Sequence, residues 1–413
     1  MNALSNIYAE GDPEYEDHHL QPLDPIIVEG EGYLYGIRSV QIVALKESVR
    51  GNDFIASYSG PNHSAAITAA GQIFTWGAND MKQLGYPGAE EGILGIDMDP
   101  RPVGAMQGSV VVAASCGKHH SVVITEDGHV FAWGAFGNGQ LGIGEVSRDK
   151  FPFGYVDGPT KVHALDTAAP RSVSCGFFHT VIIDGLGDIW TCGTGDHGIH
   201  GHEHHFDQPV PLILQSIHGH DFRQVACGAS HTIALTAQGH IYAWGSNEHG
   251  QLGLGDTITR RQPVLNSSCS GKNIGKIACG EAHTAYLSDR DIFTFGDGSH
   301  GALGHGNSKS HLAPKSVIKL DADCRLRDLE CGFVPTHCAC PSCSAYDVLL
   351  GKLTPHFCRS DRSILWHSPT LAKCISGVTC ARHPGAEQKM SSTCRGDSRV
   401  WRLYTAFRAE NTK

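Results

Sequence analysis

The sequence has no excess of positive charge: 32 Lys and Arg stand against 42 Asp and Glu, a formal net charge of −10. Such a chain does not gather nucleic acid by charge alone, so no direct nucleic-acid partner is expected. It has no apolar run approaching about 18 residues, and no membrane span is expected. The opening MNALSNIYAEGDPEYEDHH is acidic and lacks an apolar core, which argues against a secretory leader. The expected location is the cell interior, cytoplasmic or nuclear. Apolar residues do not recur at i, i+3, i+4 and i+7, which excludes a helical solenoid. Also missing are a GxxxxGK[ST] phosphate loop, a GxSxG nucleophile elbow, an HExxH zinc motif and the kinase motif set. No catalytic residue, no cofactor and no enzyme activity are expected.

What is abundant is glycine, 50 residues, and it recurs at intervals. The stretch 227–256, CGASHTIALTAQGHIYAWGSNEHGQLGLGD, shows the unit. Thr232, Ala234 and Thr236 alternate with Ile233 and Leu235, the period of a strand with two different faces. Gln238-Gly239 reverses the chain into a second strand, Ile241 to Trp244, which Gly245 ends. The glycine-rich run after it favours turning over pleating.

Copies of this unit align on the glycine after cysteine: Gly60, Gly117, Gly176, Gly228 and Gly280, with Gly332 opening a sixth. Their spacings are 57, 59, 52, 52 and 52 residues. Three residues after the first five come His63, His120, His179, His231 and His283. Sixteen residues after the first four come Trp76, Trp133, Cys192 and Trp244; the fifth copy has Phe295 one residue early. The corner repeats as Leu84-Gly85, Leu141-Gly142, His200-Gly201, Leu252-Gly253 and Leu303-Gly304. Short strands and turns repeating every fifty-odd residues read as an all-β propeller.

These residues carry a resemblance. CGxxHT, a hydrophobic strand, a strand ending WG and then GQLGLG resemble the repeat of the regulator of chromosome condensation (RCC1) family, over about residues 55–331. The resemblance implies a β-propeller, usually of seven four-stranded blades. Five repeats are clear, with degenerate or incomplete blades at the ends. Residues 1–54 read as an acidic segment that holds either a worn blade, near GYLYG at Gly32–Gly36, or a closing strand. Residues 332–413 break the pattern: Pro335 stands in the histidine place, and no Trp-Gly strand or corner is found after it. Cys338, Cys340, Cys343, Cys358, Cys374, Cys380 and Cys394 crowd this tail, and Cys340 to Cys343 has CxxC spacing. The matching second pair is missing, so the tail reads as a divergent extension in preference to a zinc module.

Of the 15 cysteines, Cys116, Cys175, Cys227, Cys279 and Cys331 share one repeat position and read as small buried hydrophobes rather than disulfide partners. The repeated histidines and tryptophans read as packing groups, since a catalytic residue is not needed five times. The corner of the third copy, GDHGIHGHEHHFD, crowds His197, His200, His202, His204 and His205 with Glu203 and Asp207. Imidazoles at that density can hold Zn²⁺ or Cu²⁺, but on a turn with no regular ligand spacing the reading is adventitious binding or none.

Function is expected to be that of a non-catalytic protein–protein interaction scaffold, binding another protein through loops on a propeller rim. The alternative that the resemblance implies is guanine-nucleotide exchange on a Ran-type small GTPase, with that GTPase as partner. In the family, exchange relies partly on an aspartate just before a repeat histidine, and here those positions are Asn62, His119, Phe178, Ser230 and Ala282. The family's ultraviolet photoreceptor branch requires tryptophan after Cys-Gly. Lys118, Phe177, Ala229 and Glu281 stand there, which excludes it.

Overall fold

The computed structural model describes residues 33–36, 41–44, 52–86, 95–145, 154–288, 291–319, 328–331, 336–340, 346–350, 356–360 and 363–367. Five four-stranded antiparallel sheets follow one another, and each strand pairs only with its neighbours in sequence. Blade one is Phe54–Ser59, His63–Thr68, Ile73–Ala78 and Ile96–Pro102. Blade two is Val111–Cys116, His120–Thr125, Val130–Ala135 and Tyr155–Lys161. Blade three is Ser172–Cys175, His179–Ile183, Ile189–Gly193 and Gln208–Ile213. Blade four is Phe222–Cys227, His231–Thr236, Ile241–Gly245 and Arg260–Leu265, and blade five is Ile274–Cys279, His283–Ser288, Asp291–Gly296 and His311–Lys319.

First strands of successive blades pack against one another, so the blades radiate from a shared inner line of strands. This is the expected all-β propeller architecture. The second strand is buried along its full length in blades one to five. Its alternation therefore does not separate core from solvent; it separates two cores. In blade four, Ala234 and Trp244 enter the core shared with blade three, among Val181 and Ile183. Ile233, Leu235 and Ile241 enter the core shared with blade five, among Ile277, Tyr286 and Phe295. Each such aliphatic side chain contributes about 1.5–3 kcal/mol by leaving water.

The segments between blades contain a repeated element. A single 3₁₀ turn follows the fourth strand at Gly104–Met106, His163–Leu165, Gln215–Ile217 and Ser267–Cys269. Its last residue, Met106, Leu165, Ile217 or Cys269, is buried. Each turn also meets the fourth strand of the next blade, which braces the outer part of the joint. Pro102, Pro209, Pro263 and Pro314 lie on those fourth strands, the sheet edges, where no ladder N–H is demanded of them.

Strands are present on both sides of the five blades. Tyr33–Gly36 pairs with Gln41–Ala44 and touches the first two strands of blade one. Asp328–Cys331, Thr336–Cys340, Tyr346–Leu350, His356–Ser360 and Ser363–His367 form one antiparallel sheet of five strands. It opens in the repeat's register: Cys331 faces Thr336 as Cys279 faces Thr284 and Cys227 faces Thr232. Thr336 then faces Leu350, the place that Trp244 takes opposite Thr232. The rest of 1–54 and of 332–413, including the side chains of the tail cysteines, lies outside the described residues.

Ile217→Ala should lower stability by about 2–5 kcal/mol, as a buried aliphatic does when truncated. Leu265→Ala, 44% exposed on a fourth strand, should stay within about 0.5 kcal/mol. Thermal unfolding of the two variants checks this; equal losses would show that the 3₁₀ turn is not part of the joint.

Candidate functional site

The repeated residues meet at the joints between blades. At Gly117, Gly176, Gly228 and Gly280 the backbone is not in the positive-φ region, so the turn itself does not demand glycine. Space does. A Cβ there would lie 2.0–2.2 Å from Cε1 of His120, His179, His231 and His283. At the first three it would also lie 2.6 Å from the carbonyl of the next blade's glycine. Glycine is what lets the imidazole lie flat on the main chain.

The ring then reaches across the joint. Nε2 of His63, His120, His179 and His231 lies 2.6, 3.0, 3.0 and 3.0 Å from the hydroxyls of Ser121, Thr180, Thr232 and Thr284. Ser121, Thr180 and Thr284 donate in turn to the corner carbonyls of Gln83, Gln140 and Gln251 at 2.7–2.8 Å. A hydroxyl has one proton, and it is committed to the carbonyl; the histidine must be the donor, neutral and protonated on Nε2. Burial holds these imidazoles neutral, lowering the pKa of His63, His120, His179 and His231 to about 3 and of His283 to about 4.

The corner glutamines serve both sides. Their side chains accept backbone N–H groups of Met81, Asn138 and His249 at 2.8–2.9 Å, which shapes the turn. Trp133 Nε1 donates to the Gln83 carbonyl and Trp244 Nε1 to that of Ile199, both at 2.8 Å. In blade three Cys192 replaces tryptophan, and Pro211 fills the space beside Gly142. Trp76, in blade one, is fully buried with no partner for its indole N–H. Cys175, Cys227 and Cys279 donate their thiols to carbonyls of the preceding blade at 3.4–3.7 Å, and burial pushes Cys175 and Cys227 up to about 12. Such thiols are protonated and inert.

The residues that differ from blade to blade gather elsewhere, where strand one turns into strand two and strand three into strand four. Both turns fall at the same end of an antiparallel meander. After the glycines stand Pro61, Lys118, Phe177, Ala229 and Glu281; the corners add Asp80, Asp196, Glu248 and Asp297. The Lys118 ammonium lies 5.3 Å from the ring centre of Phe177 and 5.6 Å from that of Phe178, a cation–π contact with both. Burial, then the nearby Asp297 carboxylate, raises the Glu281 pKa. The His119 imidazole lowers that of Asp80, whose Oδ2 lies 3.6 Å from His119 Nδ1. The sequence reading weighed acids just before the repeat histidines and found none at Asn62, His119, Phe178, Ser230 or Ala282. The corner acids of the preceding blade share that end, and their offset from the corner glutamine (Asp80 before Gln83) was the available signal.

The histidine-rich corner has other duties. His200 is spent on both nitrogens: Nε2 bonds the Phe206 carbonyl at 3.0 Å, and Nδ1 accepts the His202 N–H at 3.1 Å. His202 Nε2 lies 3.0 Å from Thr191 Oγ1, as His305 Nε2 lies 3.2 Å from Thr294 Oγ1 two blades on. The His200, His202 and His204 rings cluster with centres 4.8–5.7 Å apart. The His205 ring lies 4.6 Å from that of Phe206, tilted by 34°, and His197 points to Glu248 at 3.9 Å. Among the described residues no group of three or more His, Cys, Asp or Glu is arranged to hold a metal ion.

A family model described as RCC1-like domain matches residues 38–340. The chain belongs to the RCC1-like family. The human probable E3 ubiquitin-protein ligase HERC6 is 33% identical over 287 residues, 68% of this chain but 27% of that protein. The ultraviolet-B receptor UVR8 of Arabidopsis thaliana is 30% identical over 265 residues, 64% of this chain and 58% of the receptor. The chain thus spans about a quarter and somewhat over half of these relatives. Among solved structures, human WBSCR16 superposes with a TM-score of 0.63 at 22% identity, covering 72% of this chain and 76% of that one. Yeast RCC1 (Prp20), bound to Kap60, gives 0.60 at 20% identity, covering 72% and 70%. Both share the RCC1-like fold. No helix among the described residues is long and apolar enough to cross a membrane.

Trp133→Phe should cost about 0.5–1.5 kcal/mol more than Trp76→Phe, because only the first removes a buried indole hydrogen bond. Both lose the same volume, so the difference in chemical-unfolding midpoint isolates the hydrogen bond. Equal costs would contradict the assignment.

Proposed function

We propose that this RCC1-like propeller is a non-catalytic protein-interaction module, and that its partner binds the end bearing Lys118, Phe177, Phe178, Glu281 and the corner acids. The carrying observation is a division of labour among the residues. Histidine, tryptophan, cysteine and corner glutamine are consumed in the joints, whereas that end holds half-buried or exposed charged and aromatic groups that differ between blades. Aromatic and charged side chains on loops held by a rigid sheet frame are what protein recognition uses. The reading includes residues 55–331 as the binding propeller, flanked by 1–54 and 332–413, working in the cytoplasm or nucleus.

Guanine-nucleotide exchange on a Ran-type GTPase stands second. It draws on the structural likeness to yeast Prp20, which binds Gsp1p and histones. One observation favours it: the Asp80 carboxylate beside His119 puts an acid at the end where the family's exchange aspartate lies.

Two measurements decide between these readings. Lys118→Glu with Phe178→Ser should abolish capture of the wild-type protein's partners, identified by mass spectrometry, and leave the unfolding midpoint within about 0.5 kcal/mol; unchanged capture refutes the surface. Substoichiometric protein added to a Ran-type GTPase loaded with fluorescent nucleotide should leave release at its spontaneous rate. Catalytic acceleration, lost on Asp80→Asn, would put exchange first.

A further inference from the structure

The joint histidines give the propeller an acid-sensitive seam. At His63, His120 and His231 the partner hydroxyl's proton is committed to a corner carbonyl, so the ring donates from Nε2 and Nδ1 is the only site for a further proton. In His63, His120, His179 and His231 that atom is buried and has no hydrogen-bond partner. It faces a glycine: a Cβ on Gly117, Gly176, Gly228 or Gly280 would lie 2.4–2.5 Å from Nδ1 of His120, His179, His231 or His283. A proton added to one of these four buried atoms finds no acceptor, and the new charge is buried. The closed joint has no place for the imidazolium.

The groups facing the seam do not relieve this. His63 lies near His120, His119 and Asp80; His120 near His119; His179 near His120, His231 and His200; His231 near His283; and His283 near Asp297. Asp80 and Asp297 oppose the effect only at the two ends of the row. Between them imidazole faces imidazole, so a charge on one disfavours a charge on the next. The ring bonds cross between blades, whereas each sheet is held by its own main-chain ladder.

We propose that mild acid parts the blades at these joints before it dissolves the sheets. The sign follows from linkage: the closed form holds the histidines well below the value of about 6.5 that they take when released. The joint is at full strength above pH 6.5 and weakens as pH falls from there towards 3. Each histidine that must be protonated on release multiplies the opening constant by up to about tenfold per pH unit, and five in a row make the loss steep.

The test follows the full chain from pH 7.5 to 4 with two signals. Near-ultraviolet circular dichroism reports Trp133 and Trp244, both buried at joints, and far-ultraviolet circular dichroism reports the strands. The tryptophan signal should fall at a higher pH than the strand signal; coincident loss overturns the proposal. The variant H120Q/H179Q/H231Q keeps a neutral donor to each hydroxyl, and its tryptophan midpoint should move down by at least about one pH unit. An unchanged midpoint overturns the proposal. Should that variant not fold, ¹⁵N spectra of the wild-type histidines at pH 6 decide: neutral rings bearing hydrogen on Nε2 support it, and charged or Nδ1-protonated rings refute it.

Discussion

The contact on which the rest depends is an imidazole lying against a glycine that can carry no Cβ. At that distance any side chain would push the ring out of the joint. Displaced, the histidine would release the hydroxyl of the next blade, and that hydroxyl holds the corner carbonyl in place. The same carbonyl at Gln83 also takes the Trp133 indole. Glycine, histidine, hydroxyl, corner glutamine and tryptophan are one unit, written in the sequence as five separated letters. Apolar burial supplies most of the energy of the joint. The polar relay supplies its register, because a shift of one residue would leave several buried donors unpaired at once.

Much of this was legible in the sequence because it repeats. A glycine–histidine offset of three, kept five times, can come only from a fixed geometry, and the Leu-Gly corner has the same force. What escaped was of three kinds. The 3₁₀ turns at Met106, Leu165, Ile217 and Cys269 share a buried place but no residue type, so no letter pattern betrays them. The third sheet position at Tyr346–Leu350 carries leucine where tryptophan is expected, and only backbone pairing with Thr336 places it. The burial of both strand faces was hidden by the alternation itself, since threonine reads as a solvent residue while Thr180, Thr232 and Thr284 are buried in a joint.

The histidine-rich corner is the opposite case, a cluster conspicuous for its letters. His202 follows the corner glycine Gly201 as His305 follows Gly304, and both rings reach the threonine of the third strand. Comparing those two copies, rather than counting imidazoles, gives its role. The end that carries Lys118 and Phe177 was under-read because its residues differ from blade to blade. Residues that vary from copy to copy drop out of a repeat alignment, although variation is what lets one frame recognise different partners.

The direction of the relay has a consequence for how such a protein can grow. Histidine is always given by the earlier blade, while tryptophan and hydroxyl are always given by the later one. The joint is therefore heterologous, with a head and a tail, like the contact in an open polymer. Blades can be added, lost or duplicated without redesigning any joint, provided that reading order is kept. Two heads cannot pair through this joint. Trp76, with its indole N–H still ungiven, is the tail-side half of a joint in this polarity.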